Sequence, residues 1–255
     1  MTTVSRAASP ATRVLIVLTA TVLGFRLISP LDLSAANSPM ILSLGDDSYI
    51  PWSEVELRTG AVVHRELGEW PLTDFSALVL SNISYTSLPE AVRHGLGEYL
   101  AHGGSVLVTG GKQSYGSGGY AATELADLLP LRPSRDDWLP HPFGPTLILQ
   151  PGHSILKAVE IPTMAFFNEL DLNVGAIEIA QYVRAQRLPH SLIAERSVGT
   201  GTILAVALDM TLTGNWRDRD RFAQNCVEYL LQRSRIDPPK KRSDLYHGVM
   251  VCCAT

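Results

Sequence analysis

Three segments carry polar residues suited to binding or acid–base chemistry, and each follows an apolar run typical of a β-strand. They are Gly110–Tyr120, Asp209–Trp216 and Asn82–Tyr85. Closely spaced glycines let main-chain amides approach an anion, and carboxylates and amines can move protons. In open α/β sheets ligands bind beyond the carboxyl ends of the strands, so neighbouring strands would bring these segments to one crevice.

The acid–base candidates are Asp209, Lys112 and His153. Asp209 could act as a general base, contact a ligand or cap the following turn. Lys112 could bind a carboxylate or phosphate, or be a solvated side chain. His153 could be a base or part of a structural turn. Asp46 and Asp47 would join the crevice if Met40–Leu44 is the first strand.

The candidate ligand-binding residues lie mainly in the glycine-rich segment. They are Gly110, Gly111, Gln113, Ser114 and Tyr115, with Asn168 and Trp216 as further pocket walls. The polar side chains could orient a ligand, or they could satisfy main-chain groups of the loop itself. The segment has neither a Walker pattern nor GxGxxG, so nucleotide binding is not supported. No cofactor is expected.

The elements that must position these residues alternate between strand and helix. Ser76–Leu80 and Ser105–Thr109 are short apolar runs typical of strands buried on both faces. Between them, Ser87–Glu90 has the pattern of a capping box and starts a helix that ends near His102. Strand, helix and strand at this spacing predict a right-handed βαβ unit.

The rest of the chain continues this pattern. Further strands are predicted at Ala61–Leu67, Thr146–Gln150, Ser191–Glu195 and Thr202–Leu208, and helices at Ala122–Leu129 and Asp218–Gln232. The last two strands are joined by a turn at residues 199–201, which predicts an antiparallel hairpin. Cys226 falls on the inward face of the last helix and is expected in the core.

Composition limits the classes of protein. The chain has 255 residues, 45% of them hydrophobic, which suits one domain with a sizeable core. The net charge of -4 and the absence of an extended basic face argue against nucleic-acid binding. Three cysteines do not suggest a disulfide scaffold, and no Cys or His spacing indicates a zinc site, so no metal is expected.

The N-terminal segment has three interpretations. Residues 1–12 are expected to be disordered, and an apolar run follows from Val14 to Phe25. It could be a first strand at Val14–Leu18, the core of a signal peptide, or a short membrane anchor. A membrane span needs about 20 apolar residues, and Arg26 interrupts this run too soon, which favours the strand. We therefore expect a cytoplasmic protein, with anchoring or export as the alternative.

Residues 234–255 are polar and predict a flexible tail. It ends with the vicinal pair Cys252 and Cys253, preceded by a basic run at 240–242. The pair could be modified, bind a soft metal or donate sulfur, and a neutral tail is the simplest interpretation. A prenylation motif fits poorly, because Cys253 is not aliphatic and Thr255 is an uncommon last residue.

The sequence resembles the glutamine amidotransferase-like domain, a group of the class I glutamine amidotransferase superfamily near the ThuA-like proteins. The resemblance covers roughly residues 60–232. It is carried by Gly103–Gly111, Ser114–Gly116, Gly118–Tyr120, Leu125–Leu131, Gly152–Leu156, Phe167–Asn168 and Asp209–Trp216. It implies one domain over residues 13–233 with a flavodoxin-like fold, a three-layer sandwich with a mostly parallel sheet and a C-terminal antiparallel hairpin.

The sequence differs from class I amidotransferases at the position of the catalytic nucleophile. Class I amidotransferases carry a cysteine on the turn after the strand that corresponds to Ser105–Thr109, and its thiolate attacks glutamine. Here that turn is Gly110-Gly111-Lys112, and the late segment has no His-x-Glu. We therefore expect the scaffold without the glutaminase activity.

Three functions remain open from the sequence. The first is a binding module for a small polar molecule or a protein partner, with self-association as a further option. The second is a hydrolase, lyase or isomerase that uses Asp209, Lys112 and His153. The third is a reactive tail at Cys252 or Cys253.

Overall fold

A mixed sheet forms the centre of the protein. The computed structural model describes residues 38–134, 136–142, 144–183 and 189–238. The main strands are β1 (Met40–Gly45), β2 (Val62–His64), β3 (Ala77–Ser81), β4 (Ser105–Gly110), β7 (Thr146–Ile148), β10 (Ile177–Tyr182), β11 (His190–Val198) and β12 (Gly201–Asp209). Shorter strands are β5 (Leu131–Arg132), β6 (Trp138–Leu139), β8 (Phe167–Asn168) and β9 (Asp171–Leu172).

The strand order is β2-β1-β3-β4-β12-β11-β10-β7. The first five strands are parallel, in the 2-1-3-4-5 order of flavodoxin-like folds, and the last three run antiparallel to their neighbours. Every residue of β3, β4 and β12 is buried. Such strands are apolar throughout because both faces of a parallel sheet are covered. The predicted α/β fold with a mostly parallel sheet and an antiparallel hairpin is confirmed.

Four α-helices flank the sheet in the part of the chain that the structure describes. They are α1 (Trp52–Thr59), α2 (Glu90–Ala101), α3 (Glu124–Leu128) and α4 (Arg219–Arg233). α2 buries an apolar stripe at Val92, Leu96, Tyr99 and Leu100. α4 buries Phe222, Cys226, Val227 and Leu230, so the prediction that Cys226 is a core residue is confirmed.

Several local predictions differ from the structure. The capping box at Ser87–Glu90 is wrong, since Pro89 precedes α2 without a side-chain cap and the Ser87 hydroxyl bonds to that of Ser84. Helix α1 and strand β10 were not predicted. The strand predicted at 61–67 is limited to Val62–His64 in the structure, and the chain turns afterwards at Gly68, which has φ +57°.

The first core strand in the described part of the chain is β1. Val14–Leu18, the alternative first strand, lies outside the described residues, as do Cys252 and Cys253. Among the helices that the structure describes, none has the length and apolar character needed to cross a membrane.

Candidate functional site

The carboxyl ends of three parallel strands meet at one edge of the sheet. Gly110 of β4 pairs with Asp209 of β12, and Thr109 pairs with Ser81 at the end of β3. The prediction that the three polar segments converge is therefore confirmed for the strand ends that precede them. We call the turn Gly110-Gly111-Lys112 the elbow, and the surface around it the crevice.

Asn168 connects the elbow to the rest of the crevice. This fully buried side chain accepts a hydrogen bond from the Gly111 amide at 2.8 Å through Oδ1. Its Nδ2 donates to an Asp137 carboxylate oxygen at 2.7 Å and to the Gly111 carbonyl at 3.3 Å. Since an amide nitrogen has two protons, both donors are used internally. Asn168 was predicted as a pocket wall; the structure shows that its side chain holds the elbow and Asp137 together.

Asp137 anchors the glycine-rich loop, and it was not among the residues predicted for the site. Its carboxylate is 1% exposed and accepts from the Gly116 amide at 2.9 Å, from the Ser117 hydroxyl and from Asn168. Burial raises the pKa of Asp137, while these donors partly offset that rise. The residue lies in the proline-rich connection after α3, where its only signal was the Asp136-Asp137-Trp138 run.

Asp209 is buried at the end of β12. One carboxylate oxygen accepts from the Trp138 indole nitrogen at 3.1 Å, and the other from the Thr211 hydroxyl at 2.6 Å. The Trp138 ring stacks on Phe166 with centroids 6.0 Å apart. Asp209 therefore occupies the crevice as predicted, with both oxygens engaged by neighbouring side chains.

The two glycines of the elbow are required by close packing. A Cβ at Gly110 would lie 2.3 Å from the Ala207 carbonyl oxygen. At Gly111, with φ +148°, it would lie 2.2 Å from Oδ1 of Asn82. That same oxygen accepts from the Gln113 amide at 2.9 Å. The amides of residues 111, 113 and 116, which could have cradled an anion, already donate to side chains.

Tyr115 belongs to the core beneath the loop. Its hydroxyl lies 3.1 Å from the carbonyl oxygen of Val108 and 3.2 Å from that of Val206, and its single proton is shared between them. The ring is fully buried. Val206 marks a register shift between β12 and β4, which explains why these carbonyls accept from a side chain. Burial raises the pKa of Tyr115 well above its usual value.

The remaining loop residues differ in exposure. Lys112 and Gln113 are exposed at the tip of the elbow. Ser114 is fully buried, and its hydroxyl has no hydrogen-bond partner among the residues that the structure describes. Lys112 and Gln113 are therefore the side chains of the elbow that a ligand could reach, whereas the Ser114 hydroxyl is enclosed.

His153 lies away from the crevice, contrary to the hypothesis that it acts there. Its Nε2 is 3.5 Å from a carboxylate oxygen of Glu195, and its ring packs edge-on against Tyr229. Glu195 pairs with Leu204, five residues before Asp209 on β12, which is roughly 16 Å along a strand. The hydrogen bond from His153 lowers the pKa of Glu195, against the effect of burial.

Trp216 lines a recess beside the crevice. A cavity of about 290 Å³ is bounded by Met164, Phe166, Leu212, Thr213, Trp216 and the segment around them. The main-chain amide of Asp209 donates to the Phe166 carbonyl, which places this recess next to Asp209. The Trp216 indole donates to the Glu160 carbonyl at 2.6 Å, so the side chain also ties two segments together.

The described residues contain no group of three or more His, Cys, Asp or Glu side chains arranged to hold a metal ion. Cys226 is 1% exposed on the inner face of α4, and burial raises the pKa of its thiol. The elbow itself is built from Gly110, Gly111 and Lys112.

Solved structures of other proteins share this fold at low sequence identity. Two cytoplasmic proteins of Salmonella typhimurium match with TM-scores of 0.59 and 0.60 at 18% and 15% identity. The alignments cover 75% and 80% of this chain, and 99% and 100% of theirs. A ThuA-like protein of Bacteroides uniformis matches with a TM-score of 0.51 at 10% identity, covering 79% of this chain and 96% of its own.

These likenesses establish the fold and nothing about activity, because every identity is low. No family model matches the chain, and no curated protein matches it. The structural resemblance to a ThuA-like protein agrees with the part of the sequence resemblance that concerns the scaffold.

Proposed function

We propose that the chain is a non-catalytic binding module of amidotransferase-like fold, which takes a small anionic ligand at the crevice. The observation that carries the proposal is the pair of hydrogen bonds between the main chain of Gly111 and the side chain of Asn168. Because the Gly111 amide donates to Asn168, it is not free to stabilise the oxyanion of an acyl-transfer reaction. The binding function requires no cofactor and forms no covalent bond.

Two requirements of glutamine hydrolysis are unmet at the elbow. Attack on a carboxamide needs a thiolate, and the position holds Gly110-Gly111-Lys112. The tetrahedral intermediate needs free N–H donors, whereas the amides of Gly111 and Gln113 donate to Asn168 and Asn82. Both features argue for a scaffold that keeps its crevice without the reaction.

Acid–base catalysis by Asp209, Lys112 and His153 acting together is disfavoured by distance and bonding. His153 pairs with Glu195, roughly 16 Å along the sheet from Asp209. A general base must come within hydrogen-bond reach of the proton it removes. Asp209 is moreover held by Trp138 and Thr211.

The ligand class follows from the side chains that remain available. Lys112 is exposed at the tip of the elbow, next to the exposed Gln113. An exposed ammonium group suits a carboxylate or a phosphate. The recess along Phe166, Leu212 and Trp216 suits the apolar part of the same molecule.

A thermal-shift screen with small carboxylates and phosphates tests this proposal. We expect at least one compound to raise the Tm of the wild type, and Lys112→Ala to lose that shift. Lys157→Ala is the matched control, since Lys157 is also exposed but follows the helical turn Ser154–Leu156. A screen without any shift, an unchanged shift in Lys112→Ala, or ammonia release from glutamine would overturn the proposal.

A further inference from the structure

Exposed apolar residues concentrate at the β7 edge of the sheet. β7 is the last strand, and among the described strands it pairs only with β10. Leu147, Ile148 and Leu149 are 48%, 36% and 38% exposed, and Ile177 of β10 is 54% exposed. Native proteins usually protect such edges with charge, bulges or a covering segment.

The register shows which main-chain groups of β7 are unpaired. The Leu149 amide donates to the Ile179 carbonyl, and the Val183 amide donates to the Pro145 carbonyl. Hydrogen-bonded positions alternate along an antiparallel strand, so residues 145, 147 and 149 bond towards β10. Thr146 and Ile148 consequently direct their N–H and C=O groups to the open side.

The β7 edge also lacks charge. No residue from Pro142 to Gly152 is acidic or basic, whereas β2, at the opposite edge of the sheet, is followed directly by Arg65 and Glu66. Two neutral edges can approach each other without repulsion between like charges. Exposed apolar edge strands can pair with a strand of another chain, and β7, although only three residues long, offers the outward groups of two residues for this.

We propose that β7 pairs with β7 of a second copy of this chain, antiparallel and about a two-fold axis at Leu147. In this register the outward N–H and C=O groups of Thr146 exchange hydrogen bonds with those of Ile148 of the second copy. By symmetry, Ile148 of the first copy bonds in the same way to Thr146 of the second. The two Leu147 side chains face each other. The sheets of both copies become one continuous sheet.

A second copy suits this edge because the strand is complementary to itself. A two-fold interface requires the same patch on both partners, and the register centred on Leu147 gives each outward donor an acceptor from the identical segment. Stable interfaces bury about 800 Å² on each partner. Leu149 and Ile177 extend the apolar surface beyond the strand. A cavity of about 390 Å³ beside it is lined by both apolar and polar residues, among them Ile148, Leu156 and Glu160.

Sedimentation of the full chain over a dilution series tests the proposal. We expect the wild type to form dimers and Leu147→Lys to raise the dimer dissociation constant at least tenfold, about 1.4 kcal/mol. Val62→Lys is the matched control, because Val62 is 45% exposed on the β2 edge and should leave dimerisation unchanged. Thermal unfolding checks that both variants fold.

A charge pair distinguishes self-pairing from binding of another strand. Since Leu147 faces its own copy, a mixture of Leu147→Lys and Leu147→Asp should restore dimers that neither variant forms alone. A monomeric wild type at all concentrations, a Leu147→Lys variant that still dimerises, or a mixture that stays monomeric would each overturn the proposal.

Discussion

The crevice and the β7 edge use main-chain hydrogen bonds in opposite ways. At the crevice, the buried Asn168 and Asp137 accept from the amides of Gly111 and Gly116, and the half-buried Asn82 accepts from that of Gln113. At the β7 edge, the outward groups of Thr146 and Ile148 meet no described strand. The polar side chains of the crevice thus stabilise the fold, although their types suggest catalysis or binding. The short apolar strand β7 instead has main-chain N–H and C=O groups that pair with no described strand.

The difference follows from the cost of burial. A buried amide or carboxylate without a partner costs about 1–3 kcal/mol, so a buried elbow must be paired within the chain. An edge strand can leave its groups to water or to a partner. Substitutions at the crevice should therefore change stability strongly, and those at the edge should change association.

Asn168→Ala should have the largest effect on stability. It leaves the Gly111 amide without its acceptor and removes one of the donors to the Asp137 carboxylate. We expect the free energy of unfolding to fall by about 2–4 kcal/mol. Urea denaturation measures the change. Asn215→Ala, at an exposed position, is the control and should stay within about 0.5 kcal/mol. A loss at Asn168 as small as that of the control would break the comparison.

Gly110→Ala should cause the second-largest loss of stability. Its new Cβ would meet the Ala207 carbonyl at 2.3 Å, which the main chain can relieve only by moving. Overpacking of this kind costs about 1–3 kcal/mol. Gly214→Ala has open space around it and serves as the control in the same denaturation experiment. Equal stabilities of the two variants would show that the elbow is not closely packed.

Tyr115→Phe isolates one hydrogen bond beneath the loop. The ring stays, but the carbonyls of Val108 and Val206 lose their donor. We expect a loss of about 1–2 kcal/mol in thermal or urea unfolding. Tyr85→Phe, at a half-buried position in the neighbouring loop, should change stability less. The opposite ranking would contradict a structural role for Tyr115.

The smallest effect concerns Glu195, which lies in neither region. The hydrogen bond from His153 lowers the pKa of Glu195 in the folded protein below its usual value of 4.5. The ionised carboxylate therefore stabilises the fold above pH 4.5, and this stabilisation is lost as the pH falls through the lowered pKa. Because the carboxylate is partly solvated, we expect less than about 1 kcal/mol. Unfolding measured against pH should show a flatter acid limb in His153→Ala than in the wild type.

Much of the fold could be predicted from the sequence, for a physical reason. β3, β4 and β12 are short, largely apolar runs whose residues are all buried, as expected for strands of a sheet covered on both faces. The glycine-containing turn at residues 199–201 indicated the β11–β12 hairpin. Helix α1 was missed because Val55 is its only buried residue. The prediction of a capping box at Ser87 was wrong, because the Ser87 hydroxyl bonds to the Ser84 hydroxyl and not to the first turn of α2.

The candidate site was predicted only in part. Gly110 and Asp209 were correctly placed at one edge, since the carboxyl ends of neighbouring parallel strands must meet. Asp137 was missed because it lies in an irregular connection, where no periodicity marks a buried residue. His153 was associated with the crevice although its partner Glu195 pairs with the middle of β12.

The sequence by itself determined that the elbow contains two glycines and a lysine and no sulfur. Only the tertiary structure decided which polar groups around it are already paired. The bond between Gly111 and Asn168 spans 57 residues and that between Trp138 and Asp209 spans 71. Local propensity acts over a few residues, so contacts of this separation depend on how the strands assemble.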